Sequence, residues 1–141
     1  MRRHLEYTFL FLSLTLSLST PSTAHTIITT NNPEERQLIK VFDCRDKIYV
    51  YVRWEGLKDG AHSLEAFWYN PKHKTQEHTV YKFHAPTEAT WVWLELKGGK
   101  GSTLFKSFDP EVGYDQFIGP WNVELYLDGK YLTTKPFMVV C

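Results

Sequence analysis

The sequence has little cysteine, no surplus of either charge and no long apolar run past its first residues, and each shortage removes a class of function. Its only cysteines are Cys44 and Cys141. Neither has a Cys-x-x-Cys neighbour nor histidines at ligand spacing, which leaves a zinc site or a low-pKa catalytic thiol without a motif. Sixteen basic residues balance sixteen acidic ones, whereas a nucleic-acid partner demands a basic excess on one face. No segment approaches the roughly 20 apolar residues of a membrane helix. A Gly-x-Ser-x-Gly elbow is missing, and Ser63 beside His62 would point to the opposite face of a strand. Residues 98–103, GGKGST, lack the spacing of a phosphate-binding loop. With no nucleophile, base and orienting group at usable spacing, the expectation is a non-enzymatic protein with no cofactor.

What is present begins with Arg2 and Arg3, an apolar run from about Phe9 to Leu18 and a small-residue stretch ending Ser22-Thr23-Ala24. That order reads as a secretory signal peptide over residues 1–24, with the mature chain starting at His25 in a secreted or periplasmic setting. About 117 residues then remain, enough for one domain with a core of its own. In an oxidising compartment two cysteines allow one intramolecular pairing, a structural disulfide. The chain-entropy model gives a loop of that length roughly 4 to 5 kcal/mol.

Residues 25–37 are polar and carry Asn31-Asn32-Pro33, a reading of a flexible arm ahead of a domain over 38–141. LIKVFDC gives a short strand. KIYVYVRW alternates strictly, with Ile48, Val50, Val52 and Trp54 on one face and Tyr49, Tyr51 and Arg53 on the other. SLEAFWY sets Leu64, Ala66 and Trp68 against Glu65, Phe67 and Tyr69, an Asn70-Pro71 turn follows, and TQEHTVYKF returns as an edge strand. TWVWLEL is apolar on both faces, so Trp91 and Trp93 are expected either in a strand covered on both sides or against a loop. A long connection with a helical turn near Asp109 precedes the last hairpin, in which Trp121, Val123, Leu125 and Leu127 alternate inward and Asp128-Gly129 makes the turn. Leu125 then faces Leu132, and because Phe137, Val139 and Cys141 differ from Leu132 in parity, a bulge is expected within residues 133–136 of an edge strand.

About seven short strands point to an all-β, antiparallel Ig-like β-sandwich. The closing segment GPWNVELYLDGKYLTTKPFMV resembles the last hairpin of bacterial exported Ig-like or fibronectin-like domains: a Gly-x-Trp entry, alternating apolar residues, an Asp-Gly turn and a Phe-x-Val finish. The resemblance spans roughly residues 38 to 141 and implies an accessory, adhesive or binding module.

Two binding readings follow. Tyr49, Tyr51, Phe67 and Tyr69 lie opposite the expected core, and if their strands are neighbours they form an aromatic face for a protein or cell-envelope partner, unless a loop or the arm covers it. In the other, His25 at a mature N-terminus chelates copper or another metal in the periplasm through its amine and imidazole, with a further ligand from His62, His73, His78 or His84. His73 and His78 lack a clean ligand spacing, and His78 and His84 would sit roughly 20 Å apart along a strand, at about 3.3 Å per residue, so these read as surface histidines. Asp109, Glu111 and Asp115 lack the spacing of a calcium loop. The sequence sets no oligomeric state.

Overall fold

The alternation in KIYVYVRW becomes a strand over Lys47–Trp54, and its apolar parity is the reason: Ile48, Val50 and Val52 are fully buried. The computed structural model describes residues 24–96 and 113–141. In chain order the strands are β1 (Ala24–Thr30), β2 (Val41–Asp43), β3 (Lys47–Trp54), β4 (Gly60–Tyr69), β5 (Thr75–Ala85), β6 (Ala89–Glu95), β7 (Gly119–Leu127) and β8 (Lys130–Val140), with a 3-10 turn over Gly113–Phe117. They form a three-stranded sheet, β1-β3-β6, and a five-stranded one, β2-β8-β7-β4-β5. The protein is therefore all-β, but mixed: β2 runs parallel to β8 while every other described pair is antiparallel.

One core joins the inner faces of both sheets. Ile48, Val50, Val52, Val92 and Leu94 of the smaller sheet meet Leu64, Ala66, Trp68, Trp121, Val123, Leu125, Phe137 and Val139 of the larger. Buried tryptophans need a partner for the indole N–H, and three have one. Trp54 Nε1 donates to Thr90 Oγ1 at 2.9 Å, Trp68 Nε1 to Thr79 Oγ1 at 3.1 Å and Trp121 Nε1 to the Phe117 carbonyl at 2.7 Å.

The expected flexible arm over 25–37 is corrected. Its first part is β1, paired antiparallel to β3 from Ala24↔Trp54 to Thr30↔Tyr49 with one irregularity between Ala24 and Thr26. The stretch TIITT is β-branched throughout, which suits a pleated surface. Ile27 packs on the core and Thr29 is buried with its hydroxyl donating to the Ile39 carbonyl at 2.5 Å. The folded body thus begins at β1, ahead of residue 38.

The turn at Asn70 forms as expected. Its Oδ1 accepts the Lys72 and Lys74 amides and its Nδ2 donates to Gln76 Oε1, so both polar atoms of a nearly buried amide have partners. Gly119 enters β7 at φ 131°, and a Cβ there would lie 3.2 Å from the Pro71 ring. In the final hairpin the register breaks one residue earlier than expected. Tyr126 opposes Tyr131 and Leu125 opposes Thr133, so the extra residue is Leu132, which turns to pack on the core. That early bulge brings Trp121 opposite Phe137, their rings stacked at 6.0 Å. Nor is β8 the edge: β2 covers its last residues, Val41↔Met138 to Asp43↔Val140. Strand β5 is an edge, as its lysine and mixed pattern suggest.

Cys44 and Cys141 are bonded to each other, with Cα atoms 5.3 Å apart and a sequence separation of 97. The Cys44 amide also donates to the Val140 carbonyl at 2.8 Å, so the disulfide continues the β2–β8 ladder by one covalent step.

Candidate functional site

The four aromatic residues expected on one face are not brought together. Tyr49 and Tyr51 belong to β3 in the three-stranded sheet, and Phe67 and Tyr69 to β4 in the five-stranded sheet. Residues 55–59 carry the chain from one sheet to the other instead of closing a hairpin. The two pairs therefore face away from each other on opposite sides of the core.

On the five-stranded side the rings are occupied by one another. Phe67 stacks on His78 with centroids 4.2 Å apart and planes 9° from parallel, and meets Tyr126 edge-on at 5.6 Å. His78 Nε2 is 2.9 Å from Glu65 Oε2. Tyr126 donates its hydroxyl to Glu124 and sits edge-on to Tyr131 at 5.8 Å. The bond to Glu124 pushes the Tyr126 phenol up to about 12, because ionisation would set two negative charges side by side.

On the three-stranded side the arrangement differs. Trp54 N donates to the Glu88 carbonyl at 2.9 Å, which fixes the phase of the β3–β6 ladder. Tyr51↔Trp91 and Tyr49↔Trp93 then fall at non-hydrogen-bonded positions, where facing side chains are closest. Tyr51 is 3% exposed despite its outward parity, with the Arg36 guanidinium 5.4 Å over its ring and no partner for its hydroxyl among the described residues. Beside it Trp91 is 40% and Trp93 47% exposed, and Tyr49 is half-buried with its ring 6.1 Å from that of Trp93. The strand is therefore not covered on both sides by described residues; the other alternative, a neighbouring loop after Glu95, falls largely on residues 97–112, outside the described residues. Their strand has one buried face, through Val92 and Leu94, and β5 meets it only along an edge.

Between the two sheet edges lies a notch of about 160 Å³ lined by Tyr81, Ala89, Thr90, Trp91 and Trp93. Its lining is mixed: Tyr81 and the two tryptophans bring a phenol and two indole N–H groups along with their rings, while the Thr90 hydroxyl is already bonded to Trp54. Tyr81 and the two tryptophans are each expected in strands, but nothing in the sequence says that edges β5 and β6 meet.

The histidines are scattered. His73 is exposed in the Asn70 turn at φ 62°, His78 lies in the Phe67 stack, and His84 is exposed on β5. His25 lies in β1 by its backbone. Among the described residues no three His, Cys, Asp or Glu side chains gather to hold a metal ion. Asp115 is exposed in the 3-10 turn, while Asp109, Glu111 and the segment 98–103 lie outside the described residues, as does residues 1–23 of the expected signal.

His62, a candidate in the sequence only as a further ligand to a metal at His25, is held in a different setting. Its side chain is only 10% exposed. Nδ1 lies 2.6 Å from Asp128 Oδ2 and Nε2 2.5 Å from the Lys58 carbonyl. An open depression of about 420 Å³ adjoins it, lined by Ala61, Ser63, Lys82, Phe83, His84 and Asp128.

No helix of the described residues is long and apolar enough to cross a membrane, and the disulfide is compatible with an extracellular location. No protein-family model matches the chain, and no curated protein matches it.

Proposed function

We propose that the chain is an exported, non-enzymatic binding module with Ig-like connections, and that it holds a protein partner of the cell envelope or extracellular space through the outer face of its three-stranded sheet. One observation carries this reading: Trp91 and Trp93 stand 40% and 47% exposed, two residues apart, on a strand whose other side is core. Tryptophan and tyrosine lead the residue types on which binding energy concentrates. The notch beside them is walled by large rings that carry a few polar groups, the amphipathic surface on which an inserted side chain of a protein partner docks. The corrected contact set is Tyr49, Tyr81, Trp91 and Trp93, replacing the four residues picked by parity.

The test is co-sedimentation of the purified protein with cell-envelope material, before and after protease digestion of that material. Trp91→Ala with Trp93→Ala should weaken binding by about 30-fold or more, from at least about 2 kcal/mol at one such anchor. Tyr131→Ser, on the opposite sheet, should leave it intact. Binding that survives protease digestion, or that ignores the tryptophans, sinks the reading.

A further inference from the structure

A neutral imidazole carries one donor and one acceptor nitrogen. Both nitrogens of His62 face oxygen acceptors, the Asp128 carboxylate at 2.6 Å and the Lys58 carbonyl at 2.5 Å. Removing a proton would leave a ring lone pair pressed against an oxygen lone pair at 2.5 to 2.6 Å, too close for a water to stand between them. Only the doubly protonated ring satisfies both contacts.

The partners belong to parts of the chain far apart in sequence. Lys58 lies in the loop between β3 and β4, and Asp128 in the turn between β7 and β8, 66 residues from His62. Asp128 is at φ 50°. It is also tied by its backbone, which donates to the Ser63 carbonyl at 2.8 Å, and by Oδ1, which accepts the Ser63 amide at 2.8 Å. We propose that His62, Asp128 and the Lys58 carbonyl form a proton-operated clasp that fastens the β7–β8 turn and the β3–β4 loop to the start of β4. The clasp closes in mildly acidic surroundings and opens in alkaline ones.

Other groups face the ring. From β5 come the Phe83 ring at 5.7 Å and, lining the same depression, His84 and the positively charged Lys82. From β8 Lys130 acts on Asp128. The two direct acceptors, the Lys58 carbonyl first and then Asp128, outweigh the desolvation of the ring and raise the His62 pKa above its ordinary value of 6.5. Burial alone would raise the Asp128 carboxyl, but its bonds to His62 and Ser63 hold it below 3.8. The His62 contribution is complete below the unfolded-state value and is lost as pH rises through the raised one. That of Asp128 is complete above its unfolded-state value and fades as pH falls through the depressed one.

Ring-nitrogen NMR of the full chain titrated from about pH 5 to pH 9 reads the state directly. The expected result is two proton-bearing nitrogens on His62 near pH 6 and a midpoint above that of a free histidine. Urea unfolding should show the equilibrium shifting toward the unfolded state by up to about tenfold per pH unit between the two midpoints. His62→Gln should lose that response. Asp128→Asn keeps an oxygen for the Ser63 amide, and it should lower the His62 midpoint. A single neutral tautomer near pH 6, or an identical pH slope in wild type and His62→Gln, overturns the proposal. If His62→Gln does not fold, the His62 midpoint in wild type against Asp128→Asn decides, and an unmoved midpoint counts against the clasp.

Discussion

The two outer faces are both aromatic, yet they treat their rings in opposite ways. On the five-stranded sheet Phe67, His78, Tyr126 and Tyr131 pack on one another and bond to Glu65 and Glu124. On the three-stranded sheet Tyr51 is covered, while Trp91 and Trp93 keep much of their surface in water. The difference is one of neighbours. A central strand such as β4 has ring-bearing strands on either side, whereas β6 has a described strand partner on one side alone. Outward parity marks a residue as leaving the core, but the next strand over decides whether it is spent on stability or left for a partner.

Several measurements break or sharpen that contrast. The largest effect belongs to the tether, which serves the five-stranded sheet through β2 and β8. Cys44→Ser with Cys141→Ser should cost about 4 kcal/mol in urea unfolding. Amide exchange should rise first at the β2–β8 end; if the β1–β3 ladder loosens equally, the bond supports both sheets alike. Next come two tryptophans that differ in which way they face. Trp68→Ala empties a fully buried site and should cost about 3 to 5 kcal/mol, while Trp93→Ala should stay within about 0.5 kcal/mol of wild type. A Trp93 effect rivalling Trp68 would mean that the exposed indoles are structural and not a binding surface.

Phe67→Ala tests the occupied face. Losing the His78 stack and the Tyr126 edge contact should cost about 1 to 2 kcal/mol, more than Trp93→Ala despite the smaller ring. Thermal unfolding of the two variants side by side gives the order directly. The smallest effect is spectroscopic. Tyr126 should ionise at about 12 by ultraviolet titration and move down toward 10.0 in Glu124→Gln. Because the folded value is raised, the hydroxyl bond supports the fold at neutral pH and is lost only in strong alkali. A Tyr126 phenol titrating near 10.0 in the wild type would detach it from the network.

Much of the core could be read in advance where alternation is strict. Ile48, Val50 and Val52, the set Leu64, Ala66 and Trp68, and Trp121 to Leu127 all face inward as their parity requires. The Asn70 turn and the Cys44–Cys141 pairing were legible too, one from local backbone chemistry and the other from a count of two. Strand β1 was missed because its threonines look polar, although a threonine at a buried strand position can return its hydroxyl to a nearby carbonyl, as Thr29 does. The division of β3 and β4 between sheets was not legible, since a short loop after Trp54 fits a hairpin and a crossover equally well. That single ambiguity scattered the expected aromatic face. The partners of His62 escaped for a related reason: both are set by tertiary structure, and Lys58 contributes only a main-chain oxygen that no side-chain pattern reveals.

The sulfur bridge also makes the protein a closed ring from Cys44 onward. A pull applied between the segment before Cys44 and the last residue would pass through the S–S bond and bypass β3 to β8, withholding roughly 330 Å of extended chain from the load. Among the described residues β1, β2 and the stretch joining them lie outside that ring, and these would peel away under tension. Tension borne this way leaves β3 and β6, the central and edge strands of the face bearing the two exposed indoles, in place.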